Sequence, residues 1–69
     1  MNDYSKYITI NPERRGGQPC IRDLRITVHD IISYLAAGMT VTEILMDFPQ
    51  LTRNDVLAAL AYCADLLKK

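Results

Sequence analysis

His29 is the single imidazole in the sequence, and it stands next to Asp30 with no serine or cysteine spaced to form a nucleophile–base pair. Ser5 and Ser33 lack the sharp-turn context of an activated hydroxyl. Cys63 falls in a run of Ala, Leu and Tyr, where desolvation disfavours the thiolate. Cys20 stands nearer to arginines, yet no base adjoins it, so a packed structural thiol is the expectation for both cysteines. They are 42 residues apart in the intervening chain and form no C-x-x-C pair, which argues against a zinc framework or a disulfide scaffold. The carboxylates are scattered singly and mostly occupy helix first turns, where a capping role suffices. Gly16-Gly17 matches neither G-x-x-x-x-G-K-[ST] nor G-x-G-x-x-G. No enzymatic activity, metal, cofactor or small-molecule substrate is expected.

The arginines carry more information. Arg14, Arg15, Arg22 and Arg25 lie within twelve residues, against only Glu13 and Asp23 in that stretch. A guanidinium fork suits phosphate oxygens, carboxylates and guanine edges, so a local nucleic-acid contact is one reading. The other is an ordinary hairpin whose arginines pair with the protein's own acids. Overall, eight basic residues balance eight acidic ones, so nucleic acid cannot be held by bulk charge and any contact must come from this patch.

The elements that must position these groups follow from periodicity. Tyr7-Ile8-Thr9-Ile10 is β-branched and aromatic and ends at Asn11-Pro12, a short strand. The adjacent glycines 16 and 17 mark a loop. Cys20-Ile21-Arg22 and Leu24-Arg25-Ile26 around Asp23 alternate as a small hairpin does. From Thr27 the period becomes helical. Val28, Ile31, Ile32, Leu35 and Ala36 form one stripe, capped by Thr27 with Asp30 and closed at Gly38. A second helix is capped by Thr40 with Glu43, carries Val41, Ile44, Leu45 and Phe48, and stops at Pro49. A third is capped by Thr52 with Asp55 and finishes with Lys68 and Lys69. The expected fold is mostly α: a compact three-helix, helix-turn-helix-like domain with a short β N-terminal segment, occupying residues 1–69 as one unit.

The third helix argues against simple base reading. Val56 to Ala64 contains no charged residue, and only Arg53 and Asn54, at its start, could reach a base edge. With Val56, Leu57, Leu60, Ala64 and Leu67 turned to the other helices, Ala59, Tyr62, Cys63 and Leu66 remain for a second contact; alternatively Ala58 and Ala59 are small surface residues. A chain of this size buries a marginal core, so an oligomer is expected. The interface would use Ala59, Tyr62, Cys63 and Leu66, together with Tyr7, Ile8 and Ile10 of the strand. The opening Met-Asn-Asp-Tyr-Ser-Lys lacks the pattern of a signal peptide, and no stretch reaches the ~18 apolar residues of a membrane span. A cytoplasmic location is expected.

The segments Gly17-Gln18-Pro19-Cys20-Ile21-Arg22, Arg25-Ile26-Thr27-Val28, Gly38-Met39-Thr40, Glu43-Ile44-Leu45, Phe48-Pro49-Gln50-Leu51-Thr52, Asp55-Val56 and Ala58-Ala59-Leu60-Ala61-Tyr62 resemble, in order and spacing, domain-of-unknown-function family 433. These are small prokaryotic antitoxin-like helix-turn-helix proteins, and the likeness covers about residues 7 to 67. It implies an antitoxin-type partner of a PIN-like ribonuclease toxin, homodimerisation, and binding of a double-stranded operator for transcriptional autoregulation. On that reading Arg14, Arg15, Arg22, Arg25, Arg53 and Asn54 contact nucleic acid. Asp23-Leu24 stands here where the family carries a Gly-Thr pair, and Gln18 where a basic residue often precedes the proline. An alternative is a module that docks a protein partner through the third helix and never binds DNA.

Overall fold

A computed structural model describes residues 4–68. Residues 1–3, read above for a leader, and Lys69, assigned to the third helix, lie outside the described residues. The elements run β1 (Ile8–Thr9), a tight turn at Arg15–Gly17, β2 (Cys20–Ile21), α1 (Val28–Ala36), α2 (Val41–Asp47) and α3 (Arg53–Leu66). The mostly helical fold with a short N-terminal β segment is the one expected, but the paired strands are β1 and β2, not Cys20–Arg22 with Leu24–Ile26, which forms a turn closed by a single bridge.

β1 pairs antiparallel with β2, Ile8 opposite Ile21 and Thr9 opposite Cys20. The loop between them turns through three successive left-handed residues, Arg15 (φ 50°), Gly16 (φ 68°) and Gly17 (φ 83°), a geometry the two glycines adopt without steric cost. Beyond β2 the chain folds back through Arg22, itself left-handed at φ 50°. The Ile21 N–H donates to Ile26 O at 2.8 Å, and Cys20 bridges Thr27. Asp23 is not among the positive-φ residues, so its turn does not depend on a glycine at that position.

Each helix starts on the residue the sequence marked. Thr27, Thr40 and Thr52 accept from the backbone N–H groups of Asp30, Glu43 and Asp55, whose carboxylates accept the reciprocal threonine N–H. Three reciprocal boxes satisfy six backbone donors that helix starts would otherwise leave open. α1 is stopped by Gly38 at φ 100°, a left-handed geometry that costs a side-chain-bearing residue about 1 kcal/mol. Ile21, Val28, Ile31, Ile44, Leu51, Val56 and Ala59 make the core where the three helices meet the hairpin.

Two expectations about α3 are corrected. Its faces are largely exchanged: Val56 is buried as expected, but so are Asp55, Ala58 and Ala59, with Tyr62 and Cys63 half-buried against the core, whereas Leu57 (42% exposed), Leu60 (41%), Ala64 and Leu67 (83%) point outward, as does Leu66. Ala59 is therefore inside the protomer and is neither an interface nor a surface residue. The helix is apolar nearly all round, so hydrophobicity alone cannot choose its inward side. Two other properties do. Alanine at 58 and 59 lets α3 lie close against the core, where leucine would hold it off, and the capping acid Asp55 must face a cation inside the body. The helix also ends earlier than expected, at Leu66, so Lys68 lies past the last turn.

Candidate functional site

The arginine-rich hairpin divides into engaged and unengaged cations. Arg22 leaves β2 with its N–H donating to Tyr7 O at 2.7 Å. Its guanidinium crosses to the start of α3, where Nε donates to Asp55 Oδ1 at 3.1 Å, and Nη2 to Asp55 Oδ2 at 2.8 Å and Gln50 O at 2.7 Å. Asp55 is completely buried. Burial pushes its carboxyl pKa up, but hydrogen bonds from Arg22 and from the Thr52 backbone outweigh that and hold it below the ordinary aspartate value. The hydrogen bond to Asp55 correspondingly raises Arg22, against the smaller effect of its own desolvation.

Arg15 is engaged in the same manner. Its Nη1 donates to Arg25 O at 2.7 Å and to Asp30 Oδ2 at 3.1 Å, tying the loop to the first turn of α1. Burial again raises the Asp30 carboxyl, and the Thr27 hydrogen bonds together with Arg15 bring it net downward. Two of the six residues expected to meet nucleic acid thus have their guanidinium groups occupied within the fold. The exposed Arg25 and Arg53 and the half-buried Arg14 make no side-chain ion pair among the described residues, and Asn54 is exposed beside Arg53.

The expected interface residues also separate. Ile8 is held in the hairpin, Tyr7 is half-buried beside it, and Ile10 is exposed. Tyr62 packs edge-on against Tyr4 with ring centroids 5.5 Å apart, and the Tyr4 hydroxyl donates to Asp65 at 2.6 Å, so the N-terminal segment straps over α3. This contact spans 61 residues and has no local sequence signature. Tyr62, Cys63 and the exposed Leu66 line an apolar cavity of about 250 Å³ with Pro19, Val28, His29 and Ile32, between α1 and α3. His29 lies within 3.5 Å of Ser33 Oγ one turn along α1. Cys20 is buried and its thiol donates to Gln18 O at 3.3 Å, the packed role expected of it.

What remains turned to solvent is the other side of α3. Leu57, Leu60, Ala64 and Leu67 recur at intervals of three and four residues, one face of a helix. Its body offers no donor or acceptor to a base edge and a continuous apolar strip to a protein.

Comparison with known families follows the same segments. The family model of DUF433, a protein family of unknown function, matches residues 8–63. The chain belongs to the DUF433 family. A crystal structure of a DUF433 member protein from Anabaena variabilis ATCC 29413 superposes with a TM-score of 0.86 at 35% identity, covering 91% of this chain. The chain spans 62% of that protein's length. No curated protein matches the chain. The residues the DUF433 match takes in include Arg22, Asp55 and two of the outward leucines, Leu57 and Leu60. Among the described residues, no cluster of His, Cys, Asp and Glu is arranged to hold a metal ion, and no helix is long and apolar enough to cross a membrane.

Proposed function

We propose that this DUF433 domain is a non-catalytic docking module of the antitoxin type, holding a protein partner on the outward face of α3, with a PIN-like ribonuclease as the partner class. The observation that carries this reading is the exposed strip Leu57, Leu60, Ala64 and Leu67 on a helix with no charge between Val56 and Ala64. A protein surface gains by covering such a strip, and its leucines stand on a rigid, capped helix. The engagement of Arg15 and Arg22 inside the fold favours the same reading, since it removes two guanidinium groups from any nucleic-acid contact.

The test is a calorimetric titration of the purified chain with a purified PIN-like ribonuclease. Binding that is weakened at least about tenfold by Leu57→Glu with Leu60→Glu, and untouched by Arg14→Ala with Arg25→Ala, is the expected result. Binding insensitive to the leucine changes contradicts it.

A second reading, operator binding, is favoured by Arg14, Arg25 and Arg53, which make no ion pair among the described residues, and by the exposed Asn54. It would need two copies of the domain on two half-sites, because so few side chains read a base sequence weakly. Fluorescence anisotropy against DNA from upstream of the gene, at two salt concentrations and with a scrambled control, tests it. Salt-dependent preference for the native fragment supports the reading, and equal or absent binding removes it.

A further inference from the structure

The charges at the two ends of the α3 strip restrict what can cover it. Arg53 stands before Leu57 at one end and Lys68 follows Leu67 at the other, both exposed. Of the two acids of α3, Asp55 is buried against Arg22, and the exposed Asp65 is held to the side of the helix by the Tyr4 hydroxyl, so neither lies on the strip itself. The outward face is therefore an apolar strip with a cation at each end.

We propose that the occupant of this strip is an amphipathic helix with acidic residues at both ends of its apolar stripe, and not a second copy of this chain. The inference rests on the docking reading above and specifies the chemistry of the partner. Four outward positions spaced by three and four residues match the stripe of an opposing helix, which covers the strip along its length. Self-pairing places like charges together in either direction. Antiparallel copies bring Arg53 opposite the Lys68 end, and parallel copies bring Arg53 against Arg53 and Lys68 against Lys68. A partner with carboxylates at both ends removes that repulsion and gains attraction at each site, the charge pattern by which interfaces select one partner over another.

Two synthetic helical peptides test this, identical in a leucine stripe at i, i+3, i+7 and i+10, one with Glu and one with Lys flanking the stripe. Each is titrated by fluorescence anisotropy into the full chain, wild type and Arg53→Glu with Lys68→Glu, with circular dichroism verifying that the variant remains folded. The Glu-flanked peptide is expected to bind wild type about three- to tenfold more tightly at low salt, the preference to shrink near 0.5 M salt, and to reverse on the variant. Equal affinities, a preference unmoved by charge reversal, or no binding of either peptide overturns the inference. So does sedimentation of the wild-type chain as a dimer that Leu60→Glu dissociates. The docking reading is decided separately by the ribonuclease titration: a ribonuclease bound through Leu57 and Leu60, with no charge preference among peptides, leaves docking standing and removes only the acidic-ended partner.

Discussion

Arg22 and Asp55, 33 residues apart in sequence, form a two-pronged ion pair at 2.8 and 3.1 Å that fastens the N-terminal hairpin to the first turn of α3. The same aspartate closes the capping box with Thr52, so one buried carboxylate fixes both where α3 begins and which face it turns inward. The outward leucine strip is a consequence of that choice.

Removing either partner leaves the other with an uncompensated charge. Arg22→Ala is expected to destabilise the fold by about 2–4 kcal/mol, the lower part of the range for a broken buried pair because the guanidinium is itself 37% exposed. Urea unfolding of the variant measures this. A loss below about 0.5 kcal/mol would show that the pair does not hold the hairpin to α3. A DNA-binding defect in Arg22→Ala would for the same reason report stability first; Arg25→Ala with Arg53→Ala is the cleaner probe.

Asp55, Asp30 and Glu43 all have folded-state pKa values below their ordinary ones. For Asp55 and Asp30, burial acts upward and the Thr hydrogen bonds and arginines outweigh it; for Glu43, the Thr40 hydrogen bonds lead. A depressed acid pKa contributes stability that is complete above the unfolded value, about 4, and is lost as pH falls through the folded one. Thermal melts are expected to be flat in this respect from neutral pH down to about 5, then to fall steeply below about 4. A melting temperature unchanged between pH 5 and 2 would contradict the three boxes as drawn.

The two sides of α3 should respond oppositely to substitution. Ala59→Leu overpacks the core around this fully buried alanine and is expected to cost about 1–3 kcal/mol, whereas Leu60→Glu on the outward face costs less than about 1. Chemical denaturation of both variants decides the orientation, and a tolerated Ala59→Leu with a crippling Leu60→Glu would reverse it.

Tyr62→Glu separates an internal role from an intermolecular one. Because Tyr62 packs on Tyr4 and the protomer's own core, the change is expected to lower stability by roughly 2–4 kcal/mol. It should do so equally at low and high protein concentration. A stability loss confined to high concentration would instead place Tyr62 between copies.

The helices were legible because their signals are local: threonine caps with an acid three residues on, Gly38 after α1 and Pro49 after α2. The orientation of α3 was not, because leucine and alanine alternate around its whole circumference and both stripes look equally fit for burial. The arginine cluster was legible as charge but not as pairing, since Arg22 finds Asp55, and Arg15 finds Asp30, only after the chain has folded back. Each acid reads in the sequence as a cap, and each does cap; its free valence for a cation is a tertiary property that no spacing announces. The Tyr4–Asp65 strap is invisible for the same reason.

The central claim is that the outward face of α3 is where a protein partner sits. Methyl NMR of the chain, with leucine methyls assigned, during titration with the PIN-like ribonuclease, tests it most directly. The account predicts that Leu57, Leu60 and Leu67 shift or broaden first while core methyls such as those of Leu51 stay in place. Perturbations confined to Leu24 and Ile26 beside Arg25, with Leu57 and Leu60 unmoved, would contradict it and move the interface to the hairpin.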